Sequence, residues 1–206
     1  NWRILIADNG STDTTPEIAK RLSDKHKRIT HIRIEERGRG RAVSTAWLSS
    51  DAHILAYMDV DLSTDLKALP QLISVIENGR ADLAVASRLT RGAKVIGRPL
   101  QREFISQAYS RLVRAIFIMG IRDYQCGFKV ISRQAASELV PLVQDSGWFF
   151  DSELIILAHK NGYTVDEIPV TWVDDPDSRV KIIPTALRDL IGLLRLRFGG
   201  LRKASR

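Results

Sequence analysis

The sequence predicts an α/β domain: a Rossmann-like, mostly parallel sheet flanked by helices. Three observations predict it. Short apolar runs alternate with longer amphipathic stretches from the first residue to about residue 90, the pattern of βαβ units. Several of these runs are apolar throughout, as strands buried on both faces are. The clearest of them, Ala52 to Met58, ends abruptly in the acidic Asp59-Val60-Asp61, and open α/β sheets bind ligands at the edge where such strands end.

Arg3 to Ala7 reads as the first buried strand, and Asp8 to Asp13 as a polar turn. Pro16 stands where a first helical residue belongs, with Glu17 behind it, and Ile18, Ala19 and Leu22 give that helix an apolar face. His31 to Glu35 alternates as a half-buried strand does. The Gly-rich Arg37 to Arg41 leads into a helix through Ala42, Val43, Ala46, Trp47 and Leu48. A helix over 65–78 follows the acidic strand end, closed by Asn78-Gly79, and Asp82 to Ser87 is a further buried strand. The second half is less regular. A long amphipathic helix is expected over 101–119, a strand at 128–132, a helix from Phe150 to about Asn161, and a last strand from Thr164 to Val173, where Pro169 signals an edge or bulge.

Length and composition bound the answer. The 206 residues suffice for one domain with a sizeable core, and 44% hydrophobic content marks a globular chain. Residues 1–183 form this domain, and 184–206 a basic amphipathic helix. The net charge of +7 favours anionic partners: phosphorylated substrates, an acidic membrane surface or nucleic acid. Cys126 is the only cysteine, which excludes an intrachain disulfide, and it reads as a packed small residue. No run of 18 apolar residues spans a bilayer.

Asp59 and Asp61 carry the chemistry. Two carboxylates one residue apart at a strand end converge, and hard divalent cations take one or two carboxylates plus substrate phosphates. The pair therefore suggests a metal–diphosphate site. Asp65 reads as the N-cap of the helix that follows. Taken alone, Asp8 to Ser11 is an ordinary turn. Arg37 to Arg41 could be a nucleic-acid patch, but it is brief and lacks a repeat, and no nucleic-acid partner is expected.

Four segments stand in order: Ala7-Asp-Asn-Gly-Ser-Thr-Asp13, Glu36-Arg-Gly-Arg-Gly-Arg-Ala42, Asp59-Val-Asp61 and Asp123-Tyr-Gln-Cys-Gly-Phe-Lys129. Together they resemble the family 2 inverting glycosyltransferases of the GT-A (nucleotide-diphospho-sugar transferase) fold. More narrowly the chain resembles the polyprenyl-phosphate sugar synthases, the dolichyl-phosphate glucosyl- and mannosyltransferases. Trp148 to Leu154 and Ile168 to Val173 bring it nearest the β-glucosyl branch. The resemblance implies transfer of a sugar, glucose before mannose, from a UDP-sugar or GDP-sugar to a polyprenyl phosphate, with inversion. It implies Mg²⁺ or Mn²⁺ on Asp59 and Asp61. It also implies Asp8, Asn9 and Ser11 at the nucleoside, with Asn9 where the family has Asp, and Arg39 where the family has Lys. Arg88, Arg102 and Ser106 match phosphate-binding positions whose plain alternative is a solvated cationic face. Arg179 and Lys181 match a loop that closes on the donor. Asp61, Gln125 and Asp151 are expected nearest the chemistry, with Glu153 beside them, although Asp151 can also be read as a helix cap.

The family's opening strand, with its Pro-x-Tyr-Asn-Glu-type loop, has no counterpart here, so the first strand is expected to be missing. The basic helices at 101–119 and 184–206 imply an anionic membrane surface. The expected location is the cytoplasmic face of a membrane, held peripherally or by segments outside this chain. The alternatives are a family 2 enzyme with a hydroxyl acceptor, which would need a carboxylate base such as Asp151, and an inactive binding module on the same fold.

Overall fold

The computed structural model describes residues 1–174, 182–200 and 203–204. Its order is β1 (Ile4–Asn9), α1 (Thr15–Lys25), β2 (Ile29–Ile34), α2 (Arg39–Leu48), β3 (Ile54–Met58), α3 (Leu69–Glu77), β4 (Leu83–Ser87), β5 (Lys94–Ile96), α4 (Leu100–Phe117), β6 (Phe128–Ser132), α5 (Arg133–Leu139), α6 (Phe150–Lys160), β7 (Val165–Pro169), β8 (Thr171–Val173) and α7 (Ile182–Phe198). The central sheet has the order β3-β6-β4-β7. β4 and β7 run parallel, whereas β6 lies antiparallel between β3 and β4. β1 and β2 form a separate parallel pair, and so do β5 and β8. Among the described residues, β1 and β3 each keep one edge without a ladder, and Ile4 and Met58 on those strands are exposed.

The period-2 pleat explains how one strand serves two layers. Leu83 and Val85 of β4 join a core with Trp47 of α2, Val113 and Phe117 of α4, Leu139 of α5, Ile155 of α6 and Leu193 of α7. Ala84 and Ala86 point the other way, onto Leu72 and Val75 of α3. α6 is buried from Phe150 to Ala158, so its sequence lacks the polar stripe of a surface helix.

Three expectations change in detail. The single last strand is two, β7 and β8, broken at Val170, and each pairs in a different sheet. The long helix covers 100–117 and stops at Ile118, whose φ of 55° is left-handed. Asp65 does act as a cap, accepting from the Lys67 N–H at 3.0 Å, but it caps a 3₁₀ turn (Leu66–Ala68) that precedes α3.

Candidate active site

The C-terminal ends of β3 and β4, the strand β8 and the helices α4 and α7 enclose a cleft of about 280 Å³. Its lining includes Asp59, Asp61, Arg88, Arg98, Arg102, Ser106, Tyr109, Gln125, Asp151, Trp172 and Asp189. Seven of the residues singled out from sequence therefore meet in one place. The loop after β3 is fixed against β8 by Val173 N–H to Ser63 O at 2.8 Å and Asp65 N–H to Thr171 O at 3.0 Å.

Arg39, from the first turn of α2, reaches the Asp59 carboxylate with Nε at 3.1 Å and a terminal nitrogen at 3.0 Å, and it pairs with Asp151. Its guanidinium carbon lies 5.2 Å from the ring centres of both Tyr57 and Trp148, within cation–π range. The fully buried Lys129 meets Asp151 at 2.8 Å and the Cys126 carbonyl at 2.6 Å. The Tyr57 hydroxyl also donates to Asp151. Burial alone would raise the Asp151 carboxyl, but Arg39 and Lys129 overcome it and hold it below its usual range. For Asp59 burial wins over Arg39, and its carboxyl is raised. Gly127 permits this crowding: a Cβ there would run into the Asp59 carboxylate and lie 2.9 Å from Arg39.

Asp61 is different. Its exposed carboxylate accepts only the Ser63 N–H, at 3.0 Å, among the described residues. Among the described residues, no group of three or more His, Cys, Asp or Glu side chains is placed to hold a metal there. The two carboxylates fit a hard cation that also takes phosphate oxygens, not a site closed by protein alone.

The cationic lining is built differently from one arginine to the next. Arg88 is committed to buried Asp123 through Nε at 2.8 Å, a terminal nitrogen at 2.9 Å and its own backbone N–H at 2.9 Å. Burial would raise the Asp123 carboxyl, yet Arg88 brings it down to about 2. Arg102 reaches Asp174 at 3.3 Å, and Ser106 is buried beside it. Arg98 pairs with Glu103 at 3.0 Å and, with Arg88, flanks Trp172. Burial and Arg88 lower the Arg98 pKa, and its Nε is buried without a partner among the described residues.

Asp8, Asn9 and Ser11 do not line the cleft. Asp8 accepts from Ser11 N–H at 3.0 Å and from Arg33 at 3.1 Å. Asn9 accepts from Gly38 N–H at 2.7 Å, which ties this turn to the loop that carries Arg39. Arg179 and Lys181 lie outside the described residues. Asp151 is not a cap, because its carboxylate is spent on Arg39, Lys129 and Tyr57. Glu153 turns away from the cleft to Arg195 at 2.6 Å and the Asp145 N–H at 2.9 Å. Cys126 is a buried thiol pushed up to about 11, chiefly by burial, so it is no nucleophile. Sequence reasoning missed Tyr57, Arg98, Lys129, Trp172 and Asp189. Of these Lys129 and Trp172 stood inside recognised motifs.

The chain is 37% identical over 193 residues to glycosyltransferase AglD of Haloferax volcanii, covering 93% of this chain and 30% of that protein. It is 32% identical to dolichyl-phosphate β-glucosyltransferase ALG5C of Trichomonas vaginalis, covering 88% and 56%. It is 29% identical to the dolichyl-phosphate β-glucosyltransferase of Saccharomyces cerevisiae, covering 97% and 65%. It thus spans less than two thirds of each of these relatives. Glucosyl-3-phosphoglycerate synthase of Mycobacterium tuberculosis superposes with a TM-score of 0.70 at 16% identity, over 95% of this chain and 68% of that one. The same enzyme solved with Mn²⁺, UDP-glucose and glycerol 3-phosphate gives 0.69, also at 16% identity, over the same 95% and 68%. The fold is therefore the GT-A fold. The family model described as glycosyl transferase family 2 matches residues 1–140, and the chain belongs to that family.

Proposed function

We propose that this domain transfers a sugar, glucose before mannose, from a nucleoside-diphosphate sugar to a polyprenyl phosphate at a membrane surface, with inversion. The observation that carries this reading is the cleft itself: a carboxylate pair beside three arginines, roofed by a helix with an apolar outer face. The dolichyl-phosphate β-glucosyltransferases among its relatives supply the substrate class.

In the reaction the bond from the anomeric carbon to the diphosphate oxygen breaks, and its electron pair leaves with the nucleoside diphosphate. A phosphate oxygen of the acceptor forms the new bond from the opposite face. That oxygen is already anionic, so no proton need be removed. The state of Asp151 supports this, since its carboxylate faces Arg39, Lys129 and Tyr57 and is not free to act as the base a hydroxyl acceptor requires. Mg²⁺ or Mn²⁺ would be held by Asp59 and Asp61 and would stabilise charge on the departing diphosphate. Arg98 and Arg102 bring positive charge to two anions that otherwise repel.

The membrane reading rests on α4 and α7. Phe104 is 71% exposed, Ile191 67% and Phe198 80%, and Arg188 and Arg197 lie on α7 among them. Such a surface gains from apolar burial and from anionic lipid together. No helix among the described residues is long and apolar enough to cross a membrane.

The test is sugar transfer from labelled UDP-glucose and GDP-mannose to polyprenyl phosphate by the full-length protein in detergent with Mg²⁺ or Mn²⁺. Lipid-linked product from one donor, abolished by chelation and by Asp61→Ala, is expected. Transfer to a hydroxyl acceptor alone, or no product from a folded protein, would overturn the proposal.

A further inference from the structure

We propose that Asp189 of α7 is a positioning residue for the sugar subsite: it fixes the Gln125 side chain so that the amide oxygen, not the amide nitrogen, faces the transferred sugar. The inference rests on the reading of the cleft as a sugar-transfer site.

Asp189 is the one acid in the otherwise basic stretch 179–206, yet it is only 2% exposed and lines the cleft. Its Oδ2 accepts from Gln125 Nε2 at 2.6 Å. Its Oδ1 is buried with no hydrogen-bond partner among the described residues. A carboxylate in such a place costs stability unless something offsets it, so fold maintenance alone does not account for it.

The chemistry of the pair sets a direction. An amide offers two donors on nitrogen and an acceptor on oxygen, whereas an ionised carboxylate only accepts. Asp189 therefore draws the Gln125 nitrogen to itself and leaves Oε1 for the cleft. The Gln125 backbone is held as well, by its N–H to Asp123 Oδ1 at 3.1 Å. The result is an acceptor aimed into a site that must recognise a polyhydroxylated ring. Gly192 makes the geometry possible. A Cβ there would come within 2.4 Å of the Phe149 ring, so only glycine lets α7 seat this close. Burial raises the Asp189 carboxyl to about 6, with the Gln125 hydrogen bond pulling the other way. The group is thus largely ionised, and directing, at neutral pH.

The experiment compares two affinities of the full-length protein with Mn²⁺: UDP-glucose against UDP, and GDP-mannose against GDP, by titration calorimetry. The ratio within the binding pair isolates what the sugar contributes. Asp189→Ala should cut that ratio about three- to tenfold, the worth of one well-directed hydrogen bond, and leave nucleotide affinity unchanged. Gln125→Ala should cut it equally. The double variant should lose no more than either single, because the two act as one unit. Asp189→Asn keeps the contact but lets the amide point either way, so it should fall between. An unchanged ratio, additive losses, or a parallel loss of UDP affinity would overturn the proposal. So would an Asp189→Asn variant whose kcat falls more than a hundredfold at constant KM, since that marks a general base. Failure of the wild-type protein to bind any of the four nucleotides would overturn the sugar-transfer reading itself and this inference with it.

Discussion

Asp123→Asn gives a measurable size to the Arg88 anchor. Four donors converge on the two oxygens of Asp123: three from Arg88, at 2.8 to 2.9 Å, and the Gln125 N–H at 3.1 Å. Asparagine keeps one acceptor and turns an NH₂ toward the guanidinium. A carboxyl moved from an ordinary 3.8 to about 2 corresponds to about 2 kcal/mol of stability at neutral pH. Removing one partner of a buried pair costs about 3–5 kcal/mol, because the other charge is stranded. The expected loss is therefore about 3 kcal/mol. The pH dependence follows from the sign: the folded value is depressed, so the contribution is complete above the unfolded value and fades as pH falls through about 2. Urea unfolding at pH 7 and pH 2 should show the wild-type advantage shrinking by about 1–2 kcal/mol. A cost below about 1 kcal/mol at pH 7, or one that does not change with pH, would refute the reasoning.

Asp189→Asn should act with the opposite sign. Its carboxyl is raised from 3.8 to about 6, so wild-type stability falls as pH climbs from the lower value to the higher, and the variant should unfold at higher temperature than wild type at pH 8, by a smaller margin at pH 5 and not at all at pH 3. The full shift converts to about 3 kcal/mol, an upper bound for a group that borders a cleft. Gly127→Ala should weaken Mn²⁺-dependent donor binding at least tenfold in calorimetry, since its methyl claims the place of the Asp59 carboxylate. Ile191→Asp with Phe198→Asp should abolish sedimentation with anionic vesicles while leaving the unfolding temperature unchanged. Both side chains are exposed, so a fall in that temperature would mean that they pack within the protein instead.

What could be read from sequence was local. The apolar run before Asp59, the caps and the order of the four motifs each lie within a few residues. What could not be read is how distant segments pair. Arg39 and Asp151 are 112 residues apart, and Tyr57 and Asp151 are 94 apart. No periodicity reports that a buried Lys129 and an arginine share one carboxylate. The antiparallel run of β6 was equally hidden, because its pattern gives a strand but not a direction. One error was avoidable. Asp151 and Glu153 are two positions apart in a helix, about 200° around its axis, so the two could not both face the cleft. The structure divides them accordingly, one to Arg39 and the other to Arg195.

The same helical geometry shows why α7 belongs to the site and not merely beside it. Leu187, Ile191, Leu194 and Phe198 recur at spacings of three and four and stay exposed, whereas Asp189, Leu193 and Leu196 recur likewise and are buried. One face is available to an apolar surface, and the other carries the carboxylate that holds Gln125. Gly192 sits between, pressed on Phe149. The helix has no room to shift without moving Asp189, and Asp189 cannot move without releasing Gln125. Under the proposed function, a surface that seats α7 from outside acts on the same helix that carries Asp189 to the cleft, which is the physical link such a reading requires between a membrane-delivered acceptor and the proposed sugar subsite.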